Sequence, residues 1–163
     1  MLLIVNICKE KLHALEFVKP IEDILASQNI QFFTKHYSEL KNSDIEKADK
    51  IIICGTSLKD NEFLDHLNSF HWIKNYKKPI FGICGGAHLI GLILRYKLKK
   101  KKEIGLKKLI LQKEFLGFKG ELQVYHLHQF YVLPEVFHKD NIYATLFHPE
   151  VRNKKIIEEF CKL

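Results

Sequence analysis

The stretch from Pro79 to Gly91 constrains the fold of this chain most, because it joins a strand, a cysteine, a sharp turn and a helix. The apolar run that begins at Ile80 predicts a buried strand, and the apolar residues that follow Ala87 predict a helix. Between them lies Gly82-Ile83-Cys84-Gly85-Gly86. Glycines on both sides of a cysteine permit a turn too tight for a Cβ. This layout predicts a nucleophile elbow in which Cys84 lies at a helix N-terminus, where amide dipoles favour the thiolate.

A second segment, Phe147-His148-Pro149-Glu150-Val151, offers the partners that a nucleophilic thiol requires. On an extended segment, residues i and i+2 face the same side, and Pro149 biases His148 toward that conformation. Cys84 would then attack, His148 would carry the proton, and Glu150 would hold the tautomer of the imidazole. Two alternatives remain open: a buried structural cysteine at Cys84 and an ordinary turn with a capping carboxylate at Glu150.

The hydrophobic pattern alternates between buried strands and amphipathic helices. It predicts strands over residues 2–7, 30–33, 50–54, 80–83 and 142–147. It predicts helices over residues 12–27, 61–72, 87–98 and 156–161, with a mixed segment over 37–48. Residues 106–111, 120–127 and 130–133 are predicted as shorter strands. This order favours an α/β fold with a doubly wound, mostly parallel sheet flanked by helices, whose ligands bind at the carboxyl ends of the strands.

The charge and composition limit the kinds of partner. A net charge of +7 is compatible with nucleic-acid binding, but the only arginines are Arg95 and Arg152. No aromatic residues interleave with the lysines of 97–108, so we expect a solvated loop there and no nucleic-acid function. We also expect no membrane association and no signal peptide, because no apolar run is long enough. Cysteines without metal-ligand spacing indicate reduced thiols in a cytoplasmic protein.

One possible metal site is formed by His126 and His128, which share a face if the segment is a strand. Two imidazoles with no carboxylate or thiol nearby in the sequence make a weak site. We therefore predict no metal site in this chain.

Taken together, the segments resemble the class I glutamine amidotransferases, in the family's order. Gly82–Gly86 matches the family's Gly-x-Cys-x-Gly, and Phe147–Val151 matches its Phe-His-Pro-Glu-Val. Ile52–Thr56 lies where the family has its glycine-containing oxyanion loop. Tyr125–His128, ahead of Leu133-Pro134-Glu135, resembles the histidine-containing segment that helps to enclose bound glutamine. The resemblance implies one flavodoxin-like amidotransferase domain over residues 1–163.

The resemblance also implies roles for particular residues. Cys84 would form a γ-glutamyl thioester, and His148 and Glu150 would complete the triad. Backbone N–H groups of Gly85 and of the loop at Gly55 would form the oxyanion hole. The residues expected to contact the substrate are Thr56, His88, His126, Leu127 and His128.

The implied substrate is glutamine, and the implied partner is an ATP-dependent synthetase subunit that uses the released ammonia. No cofactor is required, because thiol, imidazole and carboxylate suffice for acyl transfer. The narrower expectation is the amidotransferase subunit of a two-subunit GMP synthetase, which functions in purine biosynthesis.

Some positions depart from the family. His88 stands where the family has glutamine, Thr56 and Ser57 replace its Gly-Gly-Pro-like turn, and Leu146 stands where many members have glutamine. Two alternative functions therefore stay open: a γ-glutamyl amide or peptide hydrolase that acts alone, and an amidotransferase-like binding module without catalysis.

Overall fold

The computed structural model describes residues 1–163. Its strands are β1 (Leu2–Asn6), β2 (Phe32–His36), β3 (Lys50–Ile53), β4 (Ile80–Ile83), β5 (Lys99–Phe115), β6 (Phe118–Tyr131), β7 (Val136–Lys139) and β8 (Ile142–Thr145). Its α-helices are α1 (Lys11–Phe17), α2 (Lys19–Ser27), α3 (Asn42–Lys47), α4 (Gly85–Ile93) and α5 (Lys155–Lys162). Two 3₁₀ helices span Tyr37–Glu39 and Glu62–Lys74.

Six strands form one sheet in the order β2-β1-β3-β4-β8-β7. All neighbours are parallel except β7 and β8, which pair antiparallel. The continuous apolar runs of β1, β3 and β4 are buried, as expected for strands covered on both faces by helices. The predicted mostly parallel sheet flanked by helices is confirmed. The carboxyl ends of β3 and β4 lie side by side, and Cys54 and Cys84 follow them directly.

The core fills the space between the sheet and its helices. The largest side chains that are fully buried there include Phe63, Phe70, Phe81, Phe147 and Phe160. The rings of Phe81 and Phe160 lie 5.3 Å apart and join β4 to α5. No helix is both long enough and apolar enough to cross a membrane.

Several predicted helices differ in the structure. The single helix predicted over residues 12–27 is divided at Val18 into α1 and α2. Pro20 has no N–H to donate to the carbonyl of Glu16, so one continuous helix would lose a hydrogen bond there. The helix predicted over 61–72 is a 3₁₀ helix with non-helical backbone at His66. The helix predicted over 87–98 ends at Ile93.

The lysine-rich segment predicted as a loop is instead mostly strand. It belongs to β5, which pairs antiparallel with β6 in a long two-stranded ribbon separate from the main sheet. The strands predicted over residues 106–111 and 120–127 lie within β5 and β6, which are longer than predicted, whereas the strand predicted over 130–133 overlaps only the end of β6. Leu116 and Gly117 turn the ribbon with φ of 47° and 79°, as a two-residue hairpin turn requires. The register of the ribbon places Glu103 opposite His128.

Candidate active site

Cys84 lies at a sharp turn between β4 and α4. Its φ of 47° and ψ of −98° are unusual for a residue with a side chain, and such backbone costs about 1–3 kcal/mol. Glycines make the turn possible: a Cβ at Gly86 would collide with the carbonyl oxygen of Ile53, and one at Gly82 would lie 2.8 Å from the carbonyl of Gly86. The structure thus contains the predicted elbow, with Cys84 exposed by only 3%.

His148 and Glu150 form a buried pair. Nδ1 of His148 donates a hydrogen bond to Oε1 of Glu150 at 2.6 Å, and neither side chain is exposed. The backbone N–H of His148 donates to the carbonyl of Tyr125 at 2.8 Å, which ties the segment after β8 to β6. The ring of Phe17 on α1 lies 5.4 Å from the imidazole. Three elements therefore fix the position of this imidazole.

The backbone of Gly55 lies against both Cys84 and His148. A Cβ at Gly55 would stand 2.6 Å from Cε1 of His148 and 3.4 Å from Cβ of Cys84. Burial of the imidazole opposes its cation, but the Glu150 carboxylate and the Cys84 thiol raise the pKa of His148 well above its ordinary value. The arrangement can hold an imidazolium beside the sulfur of Cys84.

The two residues predicted to form the oxyanion hole lie in the loop after β3 and at the start of α4, and their role stays a prediction. Gly85 is the first residue of α4, so its N–H has no acceptor within the helix. Oγ1 of Thr56 donates to Oδ2 of Asp60 at 2.7 Å, and the N–H of Lys9 donates to the same oxygen at 2.8 Å. Asp60, whose side chain is 2% exposed, thus fixes the loop that begins at Gly55. We did not predict Asp60, since a single aspartate in a polar loop gives no sequence signal.

A small cavity adjoins the thiol. Thr56, His88, Leu127 and His128 line it together with Cys84, whereas His126 is not among its lining residues. Its volume is about 10 Å³, room for about one water molecule and not for an amino acid. Four of the five predicted substrate-contacting residues therefore meet at the thiol, and their roles stay predictions.

His88 is buried in the first turn of α4. Its Nε2 lies 2.7 Å from the carbonyl oxygen of Phe130 and must donate to it, which leaves Nδ1 as an acceptor. Nδ1 is buried and has no hydrogen-bond partner. Burial lowers the pKa of His88 to about 4, so the imidazole is neutral at physiological pH.

A larger depression lies on the other side of the same loop. It has a volume of about 540 Å³, and Ser57, Leu58 and Asn61 line both it and the small cavity at Cys84. The loop of residues 56–61 is therefore the wall between an open depression and the thiol.

The fold and the site together define this chain as an α/β protein with a cysteine elbow at the carboxyl edge of a parallel sheet. The family to which it belongs follows from its sequence. The family model described as glutamine amidotransferase class-I matches residues 15–137, so the chain belongs to the class I glutamine amidotransferase family. The matched region ends before His148 and Glu150, whose pairing is known from the geometry alone.

Relatives come from two kinds of synthase. The imidazole glycerol phosphate synthase subunit HisH of Bacteroides fragilis is 29% identical, over 73% of this chain and 82% of the relative. A subunit of the glutamine-hydrolyzing GMP synthase of Thermoplasma acidophilum is 31% identical, over 71% of this chain and 70% of the relative.

Solved structures show the same fold. A GMP synthase subunit-like protein of Thermoplasma acidophilum superposes with a TM-score of 0.81 at 23% identity, covering 99% of this chain and 93% of that one. A glutamine amidotransferase of Thermotoga maritima superposes with a TM-score of 0.65 at 19% identity, covering 99% and 83%. The predicted amidotransferase-like, flavodoxin-like architecture is confirmed.

Proposed function

We propose that this chain is a glutamine-hydrolysing subunit that delivers ammonia to a separate synthetase. The observation that carries the proposal is the buried His148–Glu150 pair beside Cys84 at a cysteine elbow. Thiol, base and orienting carboxylate are the groups that acyl transfer requires. Membership of the amidotransferase family supports glutamine as the acyl donor.

The reaction proceeds in two steps. The thiolate of Cys84 attacks the γ-carboxamide carbon, and His148 gives a proton to the departing ammonia, which leaves a γ-glutamyl thioester. His148 then takes a proton from water, which attacks the thioester and releases glutamate and the thiol. Glu150 holds the imidazole throughout, and the N–H groups of Gly55 and Gly85 stabilise the oxyanion of both tetrahedral intermediates.

Glutamine does not fit the cavity at Cys84 as it stands, so the pocket must open. The loop of residues 56–61 is the part of the wall that separates the cavity from the 540 Å³ depression, so its movement would join the two. We propose that docking of the synthetase moves this loop and admits glutamine. The free chain would then hydrolyse glutamine slowly, and the synthetase would raise its kcat/KM.

The narrower proposal is a GMP synthetase as the partner. The identity of 31% to a GMP synthase subunit supports it, as does the near-complete superposition on a structure of that kind. HisH relatives at 29% identity make an imidazole glycerol phosphate synthase the competing partner. Titrating the chain with each synthetase and measuring glutamine-dependent product separates the two.

A γ-glutamyl amide or peptide hydrolase that acts alone is the second candidate, and His88 favours it. His88 lines the cavity at the position where the family has glutamine, and its Nδ1 has no hydrogen-bond partner, so this nitrogen is available to accept a hydrogen bond from a different acyl donor. If this candidate holds, wild-type protein will hydrolyse γ-glutamyl dipeptides faster than glutamine without any synthetase. His88→Gln will then shift that preference toward glutamine.

The direct test of the proposal is glutamate release by the chain with its synthetase. Cys84→Ala should abolish it, whereas Cys161→Ala, at a cysteine on α5 remote from the elbow, should not change it. Residual glutamine hydrolysis in Cys84→Ala would contradict the proposal. If neither glutamine nor γ-glutamyl dipeptides are turned over, the chain is a binding module without catalysis.

A further inference from the structure

Three buried side chains from the ribbon meet beside the catalytic candidates. Glu103 on β5 and His126 and His128 on β6 present one ligand atom each, all within 4.8 Å of one another. Nδ1 of His126 lies 3.0 Å from Nε2 of His128, and the same Nε2 lies 3.3 Å from Oε2 of Glu103. Adjacent ligands around a tetrahedral zinc ion lie roughly 3.3 Å apart, since zinc–nitrogen bonds are about 2.0–2.1 Å.

Hydrogen bonds within the protein do not satisfy this cluster. Nε2 of His128 faces both the Nδ1 of His126 and the carboxylate of Glu103, and one ring nitrogen either donates or accepts. Oε2 of Glu103 is buried and makes no hydrogen bond, although Nζ of Lys101 lies 3.4 Å from it as an ion-pair partner. A cation placed between the three ligand atoms would satisfy all of them, whereas Lys101 pairs with the carboxylate alone.

We propose that Glu103, His126 and His128 form a binding site for a divalent transition-metal ion, of which zinc is the best example. Two imidazole nitrogens and one carboxylate oxygen are a common ligand set for zinc and leave a fourth position open to water or another ligand. The sequence-based expectation of no metal site was argued from a missing carboxylate. That premise is wrong, because the register of the ribbon brings Glu103 opposite His128.

The charges around the cluster allow a cation. Lys107 pairs with Oε1 of Glu103, the oxygen that the proposed site does not use. Nζ of Lys101 lies 3.4 Å from Oε2 and would have to move, but its side chain is 50% exposed and can turn into solvent.

The site adjoins the thiol but does not include it. Leu127 lies between the two histidines, and its carbonyl oxygen accepts from Sγ of Cys84 at 3.4 Å. A metal ion would link β5 to β6 beside Leu127, which lines the cavity at Cys84. Metal binding requires neither glutamine nor a functional nucleophile, so it stands or fails separately from the proposed function.

The test uses the purified chain and Zn²⁺ alone. After removal of bound metal with a chelator and dialysis against Zn²⁺, we expect one tightly held ion per chain by mass spectrometry of the metal, and a raised midpoint of thermal unfolding. Glu103→Gln and His128→Gln should each weaken binding by more than the roughly 10–100-fold that loss of an outer-shell partner costs. His71→Gln, at an exposed histidine of the 3₁₀ helix, is the matched control and should bind as the wild type does.

A second arm distinguishes this site from capture of metal by the thiol. Cys84→Ser should retain the same affinity, and Co²⁺ should give visible d–d bands without the near-ultraviolet band of a thiolate ligand. Binding that is lost in Cys84→Ser, or that survives equally in Glu103→Gln and His128→Gln, overturns the proposal. Wild-type protein that takes up no Zn²⁺ beyond the level of the two ligand variants overturns it as well.

Discussion

Nδ1 of His148 donates to Oε1 of Glu150 at 2.6 Å, and both side chains are completely buried. Two polar groups removed from water in this way depend on each other, because loss of one leaves the other without a partner. The pair lies in the segment that β6 holds through the carbonyl of Tyr125. The position of the imidazole therefore depends on β6 as well as on β8.

Removing the charge of Glu150 should impair catalysis far more than binding. Glu150→Gln keeps the volume but no longer enforces the tautomer or stabilises the imidazolium, so kcat for glutamine hydrolysis should fall about 10²–10⁴-fold with KM nearly unchanged. Steady-state kinetics in the presence of the synthetase measures this. Glu121→Gln, whose side chain is 61% exposed, is the control. A kcat for Glu150→Gln within twofold of wild type would show that the carboxylate has no such role.

The ionisation of His148 should contribute to the pH dependence of stability. Its pKa is raised in the folded protein, so folding is favoured by protonation: the contribution is complete below the unfolded value of about 6.5 and is lost as pH rises through the folded value. The free energy of unfolding in urea should therefore decline above pH 6.5. Glu150→Gln should flatten that decline, and NMR titration of the imidazole should show a lower pKa in this variant. An equal slope in both proteins would contradict the assignment.

Gly55 should not tolerate a side chain. A Cβ there would lie 2.6 Å from Cε1 of His148, so Gly55→Ala must displace either the loop or the imidazole. We expect a loss of about 1–3 kcal/mol in the free energy of unfolding and a loss of most glutaminase activity. Ser57→Ala, two residues further along the loop, should be near neutral. Normal activity in Gly55→Ala would mean that the loop shifts freely and does not position an oxyanion donor.

The hydroxyl of Thr56 should stabilise the loop through Asp60. Thr56→Val has the same shape but removes the donor to Oδ2 of the carboxylate, which should cost about 1–2 kcal/mol in urea unfolding. Thr56→Ser keeps the donor and should cost less. A free energy of unfolding for Thr56→Val equal to that of the wild type would show that this hydrogen bond does not stabilise the loop.

Much of the fold followed from local signals in the sequence. The apolar runs of β1, β3 and β4 are continuous because both faces of the sheet are covered. A strand of that kind can be predicted from its own sequence, without knowledge of the strands that pair with it. The elbow could also be predicted, because glycines stand on both sides of Cys84 in the sequence. The structure explains them, since a Cβ at Gly86 would meet the carbonyl of Ile53.

The full length of the ribbon was missed because its strands lack those signals. Much of β5 is exposed, so its sequence does not show the burial of one face. Its turn has leucine at a positive φ, where asparagine, aspartate or glycine would have signalled a hairpin. The approach of Glu103 to His128 follows only from the register of this ribbon, so the sequence showed the two histidines of the proposed metal site but not the carboxylate that completes it.

The sequence predicted the residues of the candidate site, but it did not predict that the cavity beside the thiol is closed. Cys84, His148 and Glu150 belong to short motifs whose spacing could be interpreted directly. The closed cavity depends on how the loop of 56–61 and the segment at Leu127 pack against the thiol, and no single segment encodes that.

The most direct test of the central claim is labelling of Cys84 by a diazoketone analogue of glutamine, with and without the synthetase, followed by peptide mass spectrometry. A plain alkylating agent serves as the control for thiol reactivity. We predict that the analogue modifies Cys84 and no other cysteine, that free glutamine protects it, and that the synthetase accelerates the reaction. Absence of the adduct under both conditions, or labelling that glutamine does not prevent, would contradict the assignment of Cys84 as the nucleophile of a glutamine site.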